Sequence, residues 1–424
     1  MSDNAFALKG LFVDTPEIGA LRTREGYLVC KDGVVAGFYD TLPDCFSGIE
    51  VTDCGDALVI PGMSDLHLHA SQYSYCGTAM DLELLDWLDN YTYPEEGRYA
   101  DPAHAKAYYE IFTRDLLHTA TTRAAIFATI HTDATLELMR QLSKAGMGAY
   151  VGKLNMDRNC PDYYSEHTPE NGEAETRRWL ECCREAGFAR VHPILTPRFT
   201  PSVTDAYMER IGKLAAEFGV PMQSHLSENR SEIEWVKALC PDTENYAETY
   251  ARFGLFGGDC RTIMAHCIYC PEEEDRMMKE GGVFIAHCPT SNENVIAGIA
   301  PAARYLRQGY EIGLGSDVAG GHTLDLFAVM ASAVQVSKLR WRYVDQSEKP
   351  LTMAEAFYMA TAGGGRFFGK VGLFEPGYRF DVVVVDDGKN RNLRTFTPGE
   401  RIERCAYLGG AAITAKYVDG CRIL

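Results

Sequence analysis

The chain has 424 residues, 46% of them hydrophobic, which is enough to bury a large core, and its formal net charge is −18. That charge repels a phosphate backbone or an anionic membrane surface, so nucleic acid and membrane are excluded as partners and a small neutral or cationic molecule remains. The opening MSDNAFALKG has no basic stretch followed by an apolar run, no run of about 18 apolar residues occurs, and the 14 cysteines form no paired framework, so a cytoplasmic protein in a reducing compartment is expected.

The first 60 or so residues read as short strands. Gly26–Cys30 and Val34–Tyr39 flank Asp32-Gly33, a pair that signals a hairpin turn. Next come short apolar runs near Met63–Leu68, Thr122–Thr129, Ala149–Leu154, Arg190–Thr196, Pro221–Ser224, Thr262–Ala265, Val283–Ala286 and Glu311–Gly315. Helical patterns separate them, as at Ala103–His118, Thr204–Phe218, Pro271–Glu280 and Asp325–Ser337. Alternation of this kind predicts βα units around a parallel sheet, and about eight strands suggest a (β/α)8 TIM-like barrel, although doubly wound sheets share the local signal. Gly363-Gly364-Gly365 lacks the Gly-Lys-Ser/Thr ending of a phosphate loop and is expected to stop a helix after Ala362. The final segment is β-rich again, at Arg379–Asp386 and Ala411–Thr414. The expected organisation is therefore a barrel over 61–368 and a small β-sandwich built from both chain ends, 1–60 and 369–424.

His67 and His69 close the first of these strands, and residues two apart on a strand face the same side. His225 ends the fifth strand, His266 the sixth and Asp317 the eighth. All five sit at C-terminal strand ends, where an α/β barrel carries its active site, and imidazoles with one carboxylate suit zinc or iron. Glu228, three residues after His225, is placed to shuttle a proton, and its competing reading is a helix N-terminal acid capped by Ser227 or Ser231. Cys267 and Cys270 have no second Cys-x-x-Cys to complete a structural zinc site. His104, His118 and His131 lie in helical or inter-element positions and read as surface or packing residues.

These motifs resemble the amidohydrolase superfamily and, more closely, the guanine deaminase family. The segments that carry the resemblance are PGMSDLHLHASQYSYCG from Pro61, DLELLDWLDNYTYPEE from Asp81, LTPRFTPS from Leu195, the run after Ser224, AHCPTSN from Ala286 and GLGSDVAGG from Gly313. The resemblance implies hydrolysis of guanine to xanthine and ammonia, with a pterin or triazine aminohydrolase as the alternative. It implies one zinc ion, or iron(II) in its stead, held by His67, His69, His225 and Asp317, with His266 as ligand or hydrogen-bond partner. It further implies Glu228, Asp317 and His266 in catalysis, Gln72, Arg198 and Phe199 against the purine, and a homodimer. Two-metal relatives use a modified lysine after the fourth strand. Arg190–Thr200 contains none, which favours one metal. The Cys267–Cys270 run departs from the family's glycine after the histidine.

Overall fold

The computed structural model describes residues 5–390 and 394–424. Four strands come first: β1 (Ala5–Glu17), β2 (Ala20–Lys31), β3 (Val34–Tyr39) and β4 (Glu50–Pro61). Asp32 and Gly33 adopt φ of 52° and 81°, the two left-handed residues that a tight hairpin turn needs, and β2 and β3 pair antiparallel around them.

Ten strands follow: β5 (Met63–His69), β6 (Thr121–Phe127), β7 (Gly148–Gly152), β8 (Leu154–Asn155), β9 (Val191–Pro193), β10 (Thr196–Pro197), β11 (Met222–Leu226), β12 (Thr262–His266), β13 (Phe284–His287) and β14 (Ile312–Leu314). They form parallel sheets in the orders β5-β6-β7-β9 and β11-β12-β13-β14, with β8 beside β10. Every residue of β5 and β6 is buried, as parallel strands covered on both faces require. Amphipathic helices cover them, among them Pro102–Leu117, Pro169–Ala186, Asp205–Phe218 and Glu272–Gly281. The helix Asp205–Phe218 begins where the Thr204 side chain accepts from the Tyr207 N–H and ends at left-handed Gly219, so local chemistry sets both of its ends.

Backbone hydrogen bonds join the two four-stranded sheets at both edges. Leu195 N–H donates to Pro221 O and Gln223 N–H to Leu195 O, each at 2.9 Å. On the other side Asp317 N–H donates to His67 O and His69 N–H to Val318 O, each at 2.8 Å. The second edge matters most for function, because it lays the segment after β14 against the histidines of β5.

The chain closes with β15 (Val382–Asp386), β16 (Ala412–Val418) and β17 (Cys421–Arg422). Here the structure corrects the expected sandwich of two sheets. Both chain ends enter one seven-stranded sheet, β17-β16-β15-β4-β1-β2-β3, because β4 pairs parallel with β1 and antiparallel with β15. The register of β1 against β4 shifts between Lys9 and Leu11. Its inner face closes on a core where Phe6 meets Phe380 and Tyr417, with ring centres 5.2 and 5.5 Å apart.

The triple glycine is a second correction. Helical backbone continues from Met353 through Gly363-Gly364-Gly365 to Phe368 and stops at Gly369, φ 103°. A Cβ on Gly363 would stand 2.7 Å from Ile312 O, and one on Gly313 2.7 Å from the Gly364 Cα. These glycines let helix and strand backbones touch, so they permit close packing and do not end the helix.

Buried polar groups tie the end sheet to the parallel strands. Arg123 on β6 donates to Asp381 at 2.7 and 3.0 Å and to Asp419 at 2.7 Å. Lys416 on β16 is fully buried and donates to Thr121 O at 2.8 Å and Leu116 O at 3.3 Å. Burial pushes the Lys416 ammonium down to about 7 from its ordinary 10.5. Between those two values the folded chain has released a proton that the unfolded chain keeps. Unfolding therefore takes one up, and stability rises with pH across that window. Below it both states are protonated and the cost of the buried charge is fully present. Relative to Lys416→Met, the parent's urea midpoint should climb between pH 7 and 10, and parallel curves for the two proteins would exclude a depressed Lys416.

Candidate active site

Period-two geometry brings His67 and His69 to one side of β5, with ring centres 5.0 Å apart. Neighbouring strands bring the His225 and His266 rings to 4.9 and 5.5 Å from His67. Asp317 completes the group. Its Oδ1 lies 3.2 Å from His67 Nε2 and 3.4 Å from His69 Nε2, and its Oδ2 lies 3.8 Å from His266 Nε2. His266 and Asp317 both have left-handed backbone, φ 72° and 46°, as does Ser227 at 48°. Such conformations cost about 1–3 kcal/mol each and gather where surrounding structure holds a functional geometry.

The donors fit a cation. Both ring nitrogens of His67 and Nδ1 of His69 are buried with no hydrogen-bond partner, which costs about 1–3 kcal/mol per atom unless something else satisfies them. Facing ligand atoms of His67, His69 and His225, and of His67, His266 and Asp317, lie within 4.8 Å of one another in each group. Burial, then the neighbouring His67, hold the His69 and His225 imidazoles well below their ordinary pKa, so both are neutral, as ligation needs. Burial raises the Asp317 carboxyl, but His67 and then His266 more than offset it, and the group stays ionised. The outer contacts orient the rings. His225 Nδ1–H donates to Arg198 O at 2.6 Å and His266 Nδ1–H to Asn292 Oδ1 at 2.8 Å, leaving Nε2 of each turned inward. Among the described residues no candidate cluster includes Cys267 or Cys270. The buried Lys153 after β7 is engaged by Glu166.

Above these groups lies a cavity that opens to solvent. His69, His225, His266, Asp317 and Glu228 form its floor, and Leu84, Trp87, Leu88, Phe199 and Val295 supply apolar wall. Trp235 props Phe199 edge-on, with centroids 5.9 Å apart. Glu228 Oε2 lies 3.4 Å from His266 Nε2. Burial, then Glu232 and Asp317 nearby, push its carboxyl well above the ordinary range, which suits a group that must both take and give a proton. The following helix, Arg230–Leu239, is capped by Asn229 with Glu232 completing a capping box, so neither Ser227 nor Ser231 is its cap. Ser227 instead donates to Glu274 at 2.8 Å.

All nine expected site residues therefore meet at one end of the parallel sheets. Sequence reasoning missed Glu96, which accepts from Arg198 Nη1 at 2.6 Å and from Gln72 Nε2 at 2.8 Å. It also missed Asn292, Trp87 and Asp65. Each lies inside a segment already quoted for the resemblance, but no local pattern distinguishes them there.

The amidohydrolase family profile matches residues 58–410. The chain belongs to the amidohydrolase family. The guanine deaminase of Dictyostelium discoideum is 36% identical over 381 residues, 88% of this chain and 84% of that one. The guanine deaminase of Mus musculus is 39% identical over 349 residues, 81% of this chain and 76% of that one. A solved structure, guanine deaminase from C. acetobutylicum with guanine bound in its active site, covers 99% of this chain and 100% of that one at 44% identity and a TM-score of 0.95. The range matched to the amidohydrolases contains every candidate ligand, from His67 to Asp317.

Elemental analysis of the purified protein should find close to one divalent metal per chain, and His67→Ala or Asp317→Ala should lose it. Two metals per chain, or full occupancy in both variants, would exclude this donor set.

Proposed function

We propose that this amidohydrolase is a guanine deaminase, releasing ammonia from C2 of guanine to give xanthine. The observation that carries the reading is the meeting, in one apolar-walled cavity, of a histidine–aspartate cluster with the buried guanidinium of Arg198. The guanine deaminases at 36–44% identity support it.

The reading includes one zinc ion, with iron(II) as its substitute, on His67, His69, His225 and Asp317, which would act as a Lewis acid and bring the pKa of water from 15.7 to about 7. Arg198 donates to O6, Phe199 stacks on the ring, and Gln72 reads a polar edge. Glu228 takes the proton of the attacking water and delivers it to N3, which makes C2 electrophilic. Oxygen then adds to C2 with Asp317 and His266 beside it. Glu228 then takes the remaining proton from the added oxygen and passes it to the amino group, and as the C2=O bond of xanthine forms the C2–N bond breaks and ammonia leaves. Because Asn292 takes the Nδ1–H of His266, its Nε2 is free to ligate or, when protonated, to donate to the added oxygen.

The same reading takes 61–368 as a closed (β/α)8 barrel, supported by hydrogen bonds across both sheet edges, with 1–60 and 369–424 as the second domain. It also takes the protein as a cytoplasmic homodimer, which the family resemblance supports. No helix among the described residues is long and apolar enough to cross a membrane.

Glu228→Gln keeps the side chain's shape but cannot shuttle a proton, so turnover should fall at least about 10²-fold with metal retained. An active variant would remove Glu228 from the mechanism. Guanine offers an acceptor at O6 where adenine offers a donor, and a guanidinium can only donate. Ammonia release should therefore favour guanine over adenine by about 10³-fold or more, and Arg198→Ala should raise KM and weaken that preference. Equal rates on the two purines, or a pterin far ahead of both, would overturn the substrate assignment.

A further inference from the structure

The geometry points to Glu96 as the residue that sets the hydrogen-bond polarity of the purine-reading face, by locking Gln72 and Arg198 so that both present only donors to the cavity. The inference rests on the deaminase reading and deepens it.

Glu96 is fully buried on the short helix Tyr93–Gly97. Its Oε1 accepts from Gln72 Nε2 at 2.8 Å, and its Oε2 accepts from Arg198 Nη1 at 2.6 Å. Arg198 Nη2 lies 3.5 Å from Oε1, so one carboxylate grips both side chains. At its other end, Gln72 Oε1 accepts from the Ala319 N–H at 3.3 Å. A primary amide has two faces, and turning it over exchanges acceptor for donors. Turned over here, Gln72 would set its oxygen against the Glu96 carboxylate and its NH2 against the Ala319 N–H. Both contacts would become repulsive, inside a site where an unmade hydrogen bond costs about 1–3 kcal/mol. The amide is therefore held with its oxygen engaged and one N–H to spare.

Arg198 carries donors alone. With Glu96 taking its Nη side, the remaining N–H groups are the ones left for a ligand. A face that offers only donors matches adjacent acceptors, such as O6 and N7 of guanine, and opposes an amino group at position 6. Glutamine by itself would accommodate either polarity, so the discrimination requires Glu96 as well as the residues that touch the purine. Glu96 is thus a positioning residue.

The deciding comparison is guanine against 2,6-diaminopurine, which keeps the reacting 2-amino group, carries an amino group where guanine has O6, and has an unprotonated N1 where guanine has N1–H. For the parent, kcat/KM should favour guanine strongly. Glu96→Gln, which nearly preserves volume but can donate to Gln72 and release its amide, should lower that ratio at least about tenfold, mostly through KM, with metal content unchanged. A merely structural role would lower both substrates together and leave the ratio intact, and that result overturns the inference. If Glu96→Gln fails to fold, Gln72→Met gives the second reading. It deletes the oriented amide, so the ratio must fall, and an unchanged ratio again overturns the proposal. A parent inert towards guanine overturns the deaminase reading and this inference with it, whereas a guanine-active parent whose ratio survives both variants overturns this inference alone.

Discussion

The site depends on the way residues 316–318 are pressed against β5. Asp317 N–H donates to His67 O, His69 N–H donates to Val318 O, and the buried Asp65 Oδ1 accepts from both His67 N–H at 3.2 Å and Ser316 N–H at 3.0 Å. One carboxylate thus joins the strand that carries two imidazoles to the turn that carries the acid. These bonds offset the strained backbone of Asp317 and fix its side chain where it meets three imidazoles. Without that contact the donor set would be scattered along the chain.

Arg198 links the histidine cluster to the cavity wall. Its carbonyl oxygen sets the ring of His225, and its guanidinium, 102 residues from Glu96 in sequence, is fixed by that carboxylate. The ring of His225 and the guanidinium beside the cavity are therefore both oriented through one residue, whose charge is compensated where it is buried. A buried guanidinium without such a partner would be strongly destabilising, since breaking a buried pair costs about 3–5 kcal/mol.

Two further buried carboxylates hold the loop that carries Glu228. Glu232 accepts from Glu228 N–H at 3.0 Å and from the Tyr246 hydroxyl at 2.8 Å. Glu274 accepts from Ser227 Oγ and, at 2.7 Å, from Tyr246 N–H. The loop is pinned from its own helix and from the helix Glu272–Gly281. The left-handed Ser227 is held by its hydroxyl on Glu274 and by its carbonyl, which accepts from the Ile268 and Tyr269 N–H groups, each at 3.1 Å.

Short apolar runs marked eight of the ten parallel strands to within a few residues, because a strand buried on both faces is largely apolar, whereas the two-residue β8 and β10 were merged into the runs ending at Leu154 and Thr196. Asp32-Gly33 specified its hairpin, since few pairs tolerate two positive φ values. His67 and His69 were legible as neighbours through the period of a strand, and His225, His266 and Asp317 through their positions at strand ends. What local pattern does not encode is which distant partner a group will meet. The parallel pairing of β1 with β4, which turns an expected sandwich into one sheet, is non-local, and so is the close backbone contact that gives the triple glycine its purpose. The same limit hid Glu96. In sequence it is the second of two adjacent glutamates at a helix start, alike in charge and propensity. Glu95 reaches Arg98 on the surface at 2.7 Å, whereas Glu96 turns inward to Arg198 and Gln72. Only the packing of the helix, one residue's rotation apart, decided which carboxylate pairs with Arg98 and which is buried against Gln72 and Arg198.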